Sequence, residues 1–222
     1  MTTVGIIGSG AIGGVVAKLA VGAGYDVVLS NSRGPQTLAG LVASLGPNAR
    51  AATAAEATVA GDIIVISVPP EVVRHLPVAG LAGKVVLSAN NPTARRDGKV
   101  AEFEKGNRTS SENEQELLAG ARLVKAFNTI FYKHLESLAR PVGDAHRSAL
   151  PIAGDDAAAK RIATEFLDRI GYDVVDVGTL ADSWRIERNT PAWASPYGSY
   201  DDQTGTPAGR EKIKAALAAT TR

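Results

Sequence analysis

Cysteine is absent from this chain of 222 residues, which excludes disulfides, thiolate metal sites and cysteine nucleophiles. Histidine is scarce: His75, His134 and His146 are the only three. None stands in a His-Glu-x-x-His or clustered spacing, so no metal-site pattern is present. The formal net charge is +1, so no global field points to nucleic acid or to an anionic membrane surface. No apolar run approaches the roughly 20 residues that span a bilayer. No basic-plus-apolar leader precedes the first strand pattern, which starts almost at Met1. Aromatic residues make up 5% of the chain, so the few near the C-terminus stand out. These features predict a cytoplasmic protein built on one large domain with a sizeable core.

What is present is concentrated in the first 33 residues. Thr3 to Ile7 reads as a buried strand. Gly8-Ser9-Gly10-Ala11-Ile12-Gly13 follows, and then a helical pattern with Ile12, Val15, Val16, Leu19 and Ala23 on one face. Asp26 to Leu29 is a second buried strand. This is the strand–turn–helix–strand context that a dinucleotide fingerprint requires. Gly8 permits the tight turn, Gly10 lets the backbone approach a pyrophosphate, and Gly13 lets the helix lie close on the strand. The phosphates then meet the free N–H groups at the start of the helix near Ala11. The second strand ends in Ser30-Asn31-Ser32-Arg33. An NAD site usually places a carboxylate here for the ribose 2′-OH. Arg33 instead can pair with a 2′-phosphate, with Asn31 and Ser32 adding neutral donors, which points to NADP. The plainer reading of Arg33 is a solvated loop residue.

Strand and helix patterns alternate along the rest, as in a doubly wound, mainly parallel α/β sheet. Helices are expected at Gln36 to Leu45, Glu71 to Leu76 and Thr129 to Leu138. Strands are expected at Asn48 to Ala52, Asp62 to Val68, Lys84 to Ala89, Leu123 to Phe127, Ala149 to Ala153 and Asp173 to Val177. Thr53-Ala54-Ala55-Glu56 and Ser111-Glu112-Asn113-Glu114 have capping-box spacing. Asp155 or Asp156 can cap a helix that buries Ile162, Phe166 and Ile170. Asn90 to Arg108 reads as a long polar loop. Thr206-Pro207 reads as the start of a terminal helix carrying Ile213 and Leu217. Residues 1–188 form the nucleotide-binding domain, and 189–222 form a C-terminal loop and helix that packs on the domain or on a partner subunit.

Ligands of such sheets bind beyond the carboxyl ends of the strands. Besides the fingerprint, that rule selects Ser67-Val68-Pro69-Pro70, Ala89-Asn90-Asn91 and Phe127-Asn128-Thr129-Ile130. Val68 and Pro69 offer an apolar surface to a nicotinamide ring. Asn90 or Asn128 can bond its carboxamide or orient an acceptor; each can equally be a turn residue. His75 and His134 fall on expected helices and His146 in a loop, all as packing or surface residues. No acid–base constellation stands out, although Lys125 and Lys133 leave a proton donor open. Hydride transfer to a flavin-like ring needs mainly two stacked rings, whereas a ketone or imine usually needs a proton donor as well. Arg95-Arg96 can hold an anionic tail or lie solvated. Trp184-Arg185, Trp193, Tyr197 and Tyr200 suit a lid, a subunit interface or packing of the last loop.

Six segments taken in order resemble the NADPH:deazaflavin (coenzyme F-420) oxidoreductases. They are Gly8 to Gly13, Asn31-Ser32-Arg33, Ser67-Val68-Pro69, Val124 to Thr129, Pro151 to Asp156 and Val177 to Leu180. The same set is similar to the reductase domain of the six-transmembrane epithelial metalloreductases, with Lys125-Ala126-Phe127-Asn128-Thr129 especially close. The resemblance implies a Rossmann-like domain in which NADPH passes hydride to a deazaflavin, FMN or FAD acceptor bound against the nicotinamide. It also implies a homodimer with a small-molecule redox acceptor and no nucleic acid or membrane partner. The deazaflavin enzymes typically carry histidine where this chain has Asn128, and an apolar segment where this chain is polar and aromatic after Asn189. An NADPH-dependent reductase of a small carbonyl or imine, and a non-catalytic NADPH-sensing protein, are the alternatives.

Overall fold

Ile63-Ile64-Val65-Ile66 is an unbroken β-branched run, and all four side chains are buried. Only a strand covered on both faces uses such a run. In the computed structural model, which describes residues 1–92 and 108–221, it is the fourth strand of a central sheet. In chain order the strands are β1 (Thr3–Ile7), β2 (Asp26–Ser30), β3 (Ala49–Ala51), β4 (Ile63–Ile66), β5 (Val85–Ser88), β6 (Arg122–Lys125), β7 (Ala149–Gly154) and β8 (Asp173–Gly178). They lie side by side as β3-β2-β1-β4-β5-β6-β7-β8. The order reverses between β1 and β4, so the carboxyl ends there diverge and leave a crevice. Pairing is parallel except between β6 and β7, where Val124 faces Gly154 and Lys125 faces Ala153 in antiparallel register. The mainly parallel, doubly wound expectation holds.

The helices are α1 (Ala11–Gly22), α2 (Ala39–Leu45), α3 (Ala54–Ala60), α4 (Pro70–Val73), α5 (Ser110–Leu117), α6 (Tyr132–Ser137), α7 (Ala157–Arg169) and α8 (Arg210–Ala218). Thr53 and Glu56 close the capping box that opens α3. Asp156 caps α7 by accepting from the Ala159 N–H at 2.8 Å. Phe166 on α7 meets Tyr25 and Phe127 edge-on, at centroid distances of 5.3 and 6.5 Å. Emptying such a position costs about 3–5 kcal/mol.

Several boundaries differ from the sequence pattern. The box that opens α5 is Thr109 with Glu112, not Ser111 with Glu114: the Glu112 N–H donates to Thr109 Oγ1, and the Thr109 N–H donates back to the Glu112 carboxylate. Glu114 is buried instead. Helix α8 starts at Arg210 rather than at Thr206-Pro207, because the Ala208 N–H is drawn to the Ser148 hydroxyl, which holds the chain extended. Helix α4 is a single turn, so His75 lies in the turn after it. Strand β6 stops at Lys125, and Phe127 takes φ 64°, outside any ladder. Arg95-Arg96 and most of the expected long loop lie outside the described residues.

The segment after Asn189 folds back on the same chain. The buried Tyr197 hydroxyl donates to the Ala149 carbonyl at 2.7 Å, and the Thr206 N–H donates to Tyr197 O at 2.8 Å. The His134 ring meets the Asp202 carbonyl at 2.6 Å, so that histidine serves packing.

Candidate active site

At the turn after β1, Gly8 sits at φ +98°, and a Cβ there would lie 2.2 Å from the Ser67 carbonyl oxygen. A Cβ on Gly13 would lie 1.9 Å from the Gly8 carbonyl oxygen. Both positions accept glycine alone, and together they bring the start of α1 down onto β1. Gly10 differs: a Cβ there would meet no protein atom within 4 Å. It faces open space where two cavities meet.

The first cavity has a volume of about 420 Å³. It runs from Gly8-Ser9-Gly10 along Ser30 to Arg33, and is closed on the other side by Ala54, Val72, His75, Leu76 and Pro77. The second has about 340 Å³ and runs from Gly10-Ala11-Ile12 past Ser67-Val68-Pro69 and Ala89-Asn90-Asn91 to Phe127-Asn128-Thr129-Ile130. Gly10, Ser67, Val68 and Pro69 line both. The fold thus brings the four expected loops onto one continuous crevice. Among the described residues no Asp or Glu lines either cavity, whereas Arg33, His75 and Arg188 do. That charge distribution favours a polyanion.

The residues at the end of β2 divide their duties. Asn31 is spent on the turn: its Nδ2 donates to Thr37 Oγ1 at 2.8 Å and its Oδ1 accepts from the Arg33 N–H at 3.0 Å. It therefore shapes the loop while lining the first cavity, with one of its two amide hydrogens engaged in the turn. Ser32 and Arg33 are exposed, and the Arg33 guanidinium has no partner among the described residues. Ser9 Oγ donates to the Ser30 carbonyl at 2.9 Å, which pins the fingerprint turn to β2.

Asn90 lines the second cavity and also braces it. Its Oδ1 accepts from the Val68 N–H at 3.1 Å, and its Nδ2 donates to Glu114 at 2.8 Å. The Ser88 hydroxyl donates to the other Glu114 oxygen at 2.7 Å. Lys125 is fully buried and donates to the Asn90 carbonyl. Burial pushes the Glu114 carboxyl up and the Lys125 ammonium down from their ordinary values, and each partly offsets the other's shift. Lys125 is thus a strut beneath the crevice, not a donor inside it. Lys133 bonds Gln203 outside the cavity wall. Asn128 differs from Asn90. Its Nδ2 donates to Ile186 O at 2.7 Å, but its buried Oδ1 has no hydrogen-bond partner among the described residues, and the residue lines the second cavity.

Sequence reasoning singled out Trp193 and Tyr200 for a lid, an interface or packing, but missed Phe131, Tyr132 and Arg188, which join them on the far wall of the second cavity. Phe131 and Tyr200 meet at 5.0 Å, Trp193 and Tyr200 at 5.9 Å, and the Arg188 guanidinium lies 4.9 Å over Trp193. Scarcity of aromatics was the available signal; their gathering around one cavity depends on the fold. Trp184, in the turn Leu180–Ile186, lies outside both cavities.

Residues 3–92 match the family model of the coenzyme F420-dependent NADP oxidoreductases. A hypothetical protein of Sinorhizobium meliloti is 31% identical in sequence, with 85% of this chain and 91% of that one covered, at a TM-score of 0.74. The chain belongs to this oxidoreductase family. The metalloreductase STEAP3 of Rattus norvegicus is 32% identical over 199 residues, which are 87% of this chain and 38% of that protein. The chain spans about two fifths of the length of the curated relatives it matches. An imine reductase of Bacillus cereus shares the fold at a TM-score of 0.58 and 19% identity, over 82% of this chain and 56% of that one. The family match covers the β1–α1–β2 fingerprint and continues through β4 and β5; the loop after β6 and the aromatic wall of the second cavity lie outside it.

Proposed function

We propose that the crevice binds NADPH and that the protein transfers hydride between it and a deazaflavin or flavin ring. One observation carries this reading most directly: Gly10, the one fingerprint glycine whose missing Cβ leaves empty space, lies where the two cavities meet. A pyrophosphate there would meet the first-turn N–H groups of α1, which carries no acidic residue in that turn.

The residues fit each part of the dinucleotide. Arg33, whose guanidinium has no partner among the described residues, faces the 2′-phosphate side, and Ser32 offers a hydroxyl beside it. Val72, Leu76 and Pro77 give apolar cover to the adenine end. Val68 and Pro69 give the nicotinamide an apolar floor, held by the Val68–Asn90 hydrogen bond. The unpartnered Asn128 Oδ1 is an acceptor for the carboxamide N–H.

Bound NADPH supplies a hydride from C4 of its nicotinamide. The protein's part is to hold the ring and exclude water beside it. No histidine, lysine or carboxylate lines the second cavity among the described residues, as suits an acceptor whose proton comes from solvent. Anaerobic mixing of NADPH-loaded protein with oxidised coenzyme F-420, FMN and FAD, and in parallel with small ketones and imines, tests the reading. Acceptor-dependent NADPH oxidation is expected with the tricyclic rings. Oxidation by the ketones or imines alone overturns the acceptor assignment.

A further inference from the structure

The backbone ladder that joins β4, β5 and β6 ends with the Ala89 N–H on Ile66 O and the Ala126 N–H on Ser88 O, each at 2.9 Å. Past those bonds the three carboxyl ends are free to splay, as neighbouring strands of a twisted sheet do. The side chains of two consecutive residues take over. Asn90 Oδ1 accepts from the Val68 N–H at 3.1 Å, which ties in the loop after β4. Asn91 Nδ2 donates to the Asn128 carbonyl at 2.5 Å, and Asn128 Nδ2 donates to Asn91 Oδ1 at 3.3 Å, which ties in the loop after β6. A backbone N–H only donates and a backbone carbonyl only accepts, so neither side-chain amide can turn over without losing its bond. The tie to β6 matters because Phe127, at φ 64°, has already left the strand.

The pair stands on a buried layer. Asn90 Nδ2 donates to Glu114, and Lys125, with the opposite charges of Glu114 and Glu187 near it, donates to Asn90 O. Pro70 and Val73 close the side of this layer. The space left there is about 10 Å³, room for one water at most, so the layer is a support and not a second ligand site.

Resting on the NADPH reading above, we propose that Asn90 and Asn91 are positioning residues for the nicotinamide half of the dinucleotide. They fix the gap between the Val68–Pro69 floor and Asn128, and with it the placement of the ring for hydride transfer. Val68, Pro69, Asn91 and Asn128 all line the second cavity. The adenine half lies in the first cavity, against Arg33, Val72 and Leu76, and neither Asn90 nor Asn91 lines it. Loosening the pair therefore disturbs one half of the site and spares the other. A misplacement of about 1 Å slows a reaction on the order of a hundredfold.

Binding of a whole and a truncated nucleotide tests this. The unaltered chain, Asn90→Ala and Asn91→Ala are titrated with NADPH and with 2′-phospho-ADP-ribose, which is NADP⁺ without its nicotinamide. Each substitution is expected to weaken NADPH binding about fivefold or more, the effect of one lost hydrogen bond. Each is expected to leave 2′-phospho-ADP-ribose affinity unchanged. At saturating NADPH, single-turnover oxidation by a flavin or deazaflavin is expected to slow about tenfold to a hundredfold. Equal losses for the two ligands, or no loss for either, overturn the proposal, as does an unchanged oxidation rate at saturation. If Asn90→Ala does not fold, Asn91→Ala decides alone, since Asn91 is only half-buried. The binding comparison needs no acceptor, so a wrong acceptor assignment leaves it intact. Failure of the unaltered chain to bind either ligand overturns the NADPH reading instead.

Discussion

The Ala194 N–H donates to the Thr129 carbonyl at 2.8 Å, joining the C-terminal segment to the loop after β6. This bond sets the far wall of the crevice against its floor. Asn128, one residue before Thr129, and Trp193, one before Ala194, both line the second cavity. A β-branched side chain is poorly tolerated at the positive φ of Ala194. Ala194→Val is therefore expected to lower stability by about 1–3 kcal/mol, whereas Ala194→Gly keeps the turn. Urea unfolding of both variants checks this; equal losses would show that the turn is not what holds the segment.

The fingerprint glycines should separate folding from binding. Gly13→Ala drives a Cβ to 1.9 Å from the Gly8 carbonyl and is expected to cost about 1–3 kcal/mol of stability. Gly10→Ala meets no protein atom, and its extended φ of −80° suits alanine, so stability should change by no more than about 1 kcal/mol. Its NADPH affinity should fall about tenfold or more, because the added methyl fills ligand space. Calorimetry paired with thermal unfolding reads both effects.

Cofactor choice rests on Arg33. Arg33→Ala is expected to weaken NADPH binding by about 1.5–3 kcal/mol and NADH binding hardly at all. Equal losses in titrations of the two nucleotides would remove Arg33 from the 2′-phosphate.

The buried Glu114–Asn90–Lys125 network gives a pH signature. Lys125→Met leaves the Glu114 carboxylate buried without a compensating charge, a loss of about 3–5 kcal/mol at neutral pH. Burial already raises the Glu114 pKa, and removing the ammonium raises it further. An acid with a raised folded pKa adds stability at low pH and loses it as pH rises through that value. The deficit of Lys125→Met should thus be small in acid and widen with rising pH, and Glu114→Gln added to it should recover most of the loss. Urea unfolding across pH checks both; a deficit independent of pH would contradict the account.

What could be read in the sequence was local. Gly8 to Gly13 and Ser30 to Arg33 act within one β–α–β unit, where spacing specifies geometry, and all of them but Gly13 line the crevice. Glu114 and Asn90 were opaque because their partners lie across strands. Glu114 looks like a helix-cap residue until β5 and β6 place Ser88 and Lys125 beside it. Asn31 is ambiguous for the opposite reason: its side-chain oxygen closes a turn on Arg33, two residues away, and spacing alone does not separate that role from ligand binding. The aromatic wall needed the whole fold, since Phe131 meets Tyr200, which in turn meets Trp193, only after the C-terminal segment turns back.

The most direct test is single-turnover mixing under anaerobic conditions, with NADPH carrying hydrogen or deuterium at the transferred C4 position. The account predicts loss of the nicotinamide absorbance only when an oxidised deazaflavin or flavin is present, with a slower rate for the deuterated cofactor. Persistence of NADPH with every tricyclic acceptor would contradict it.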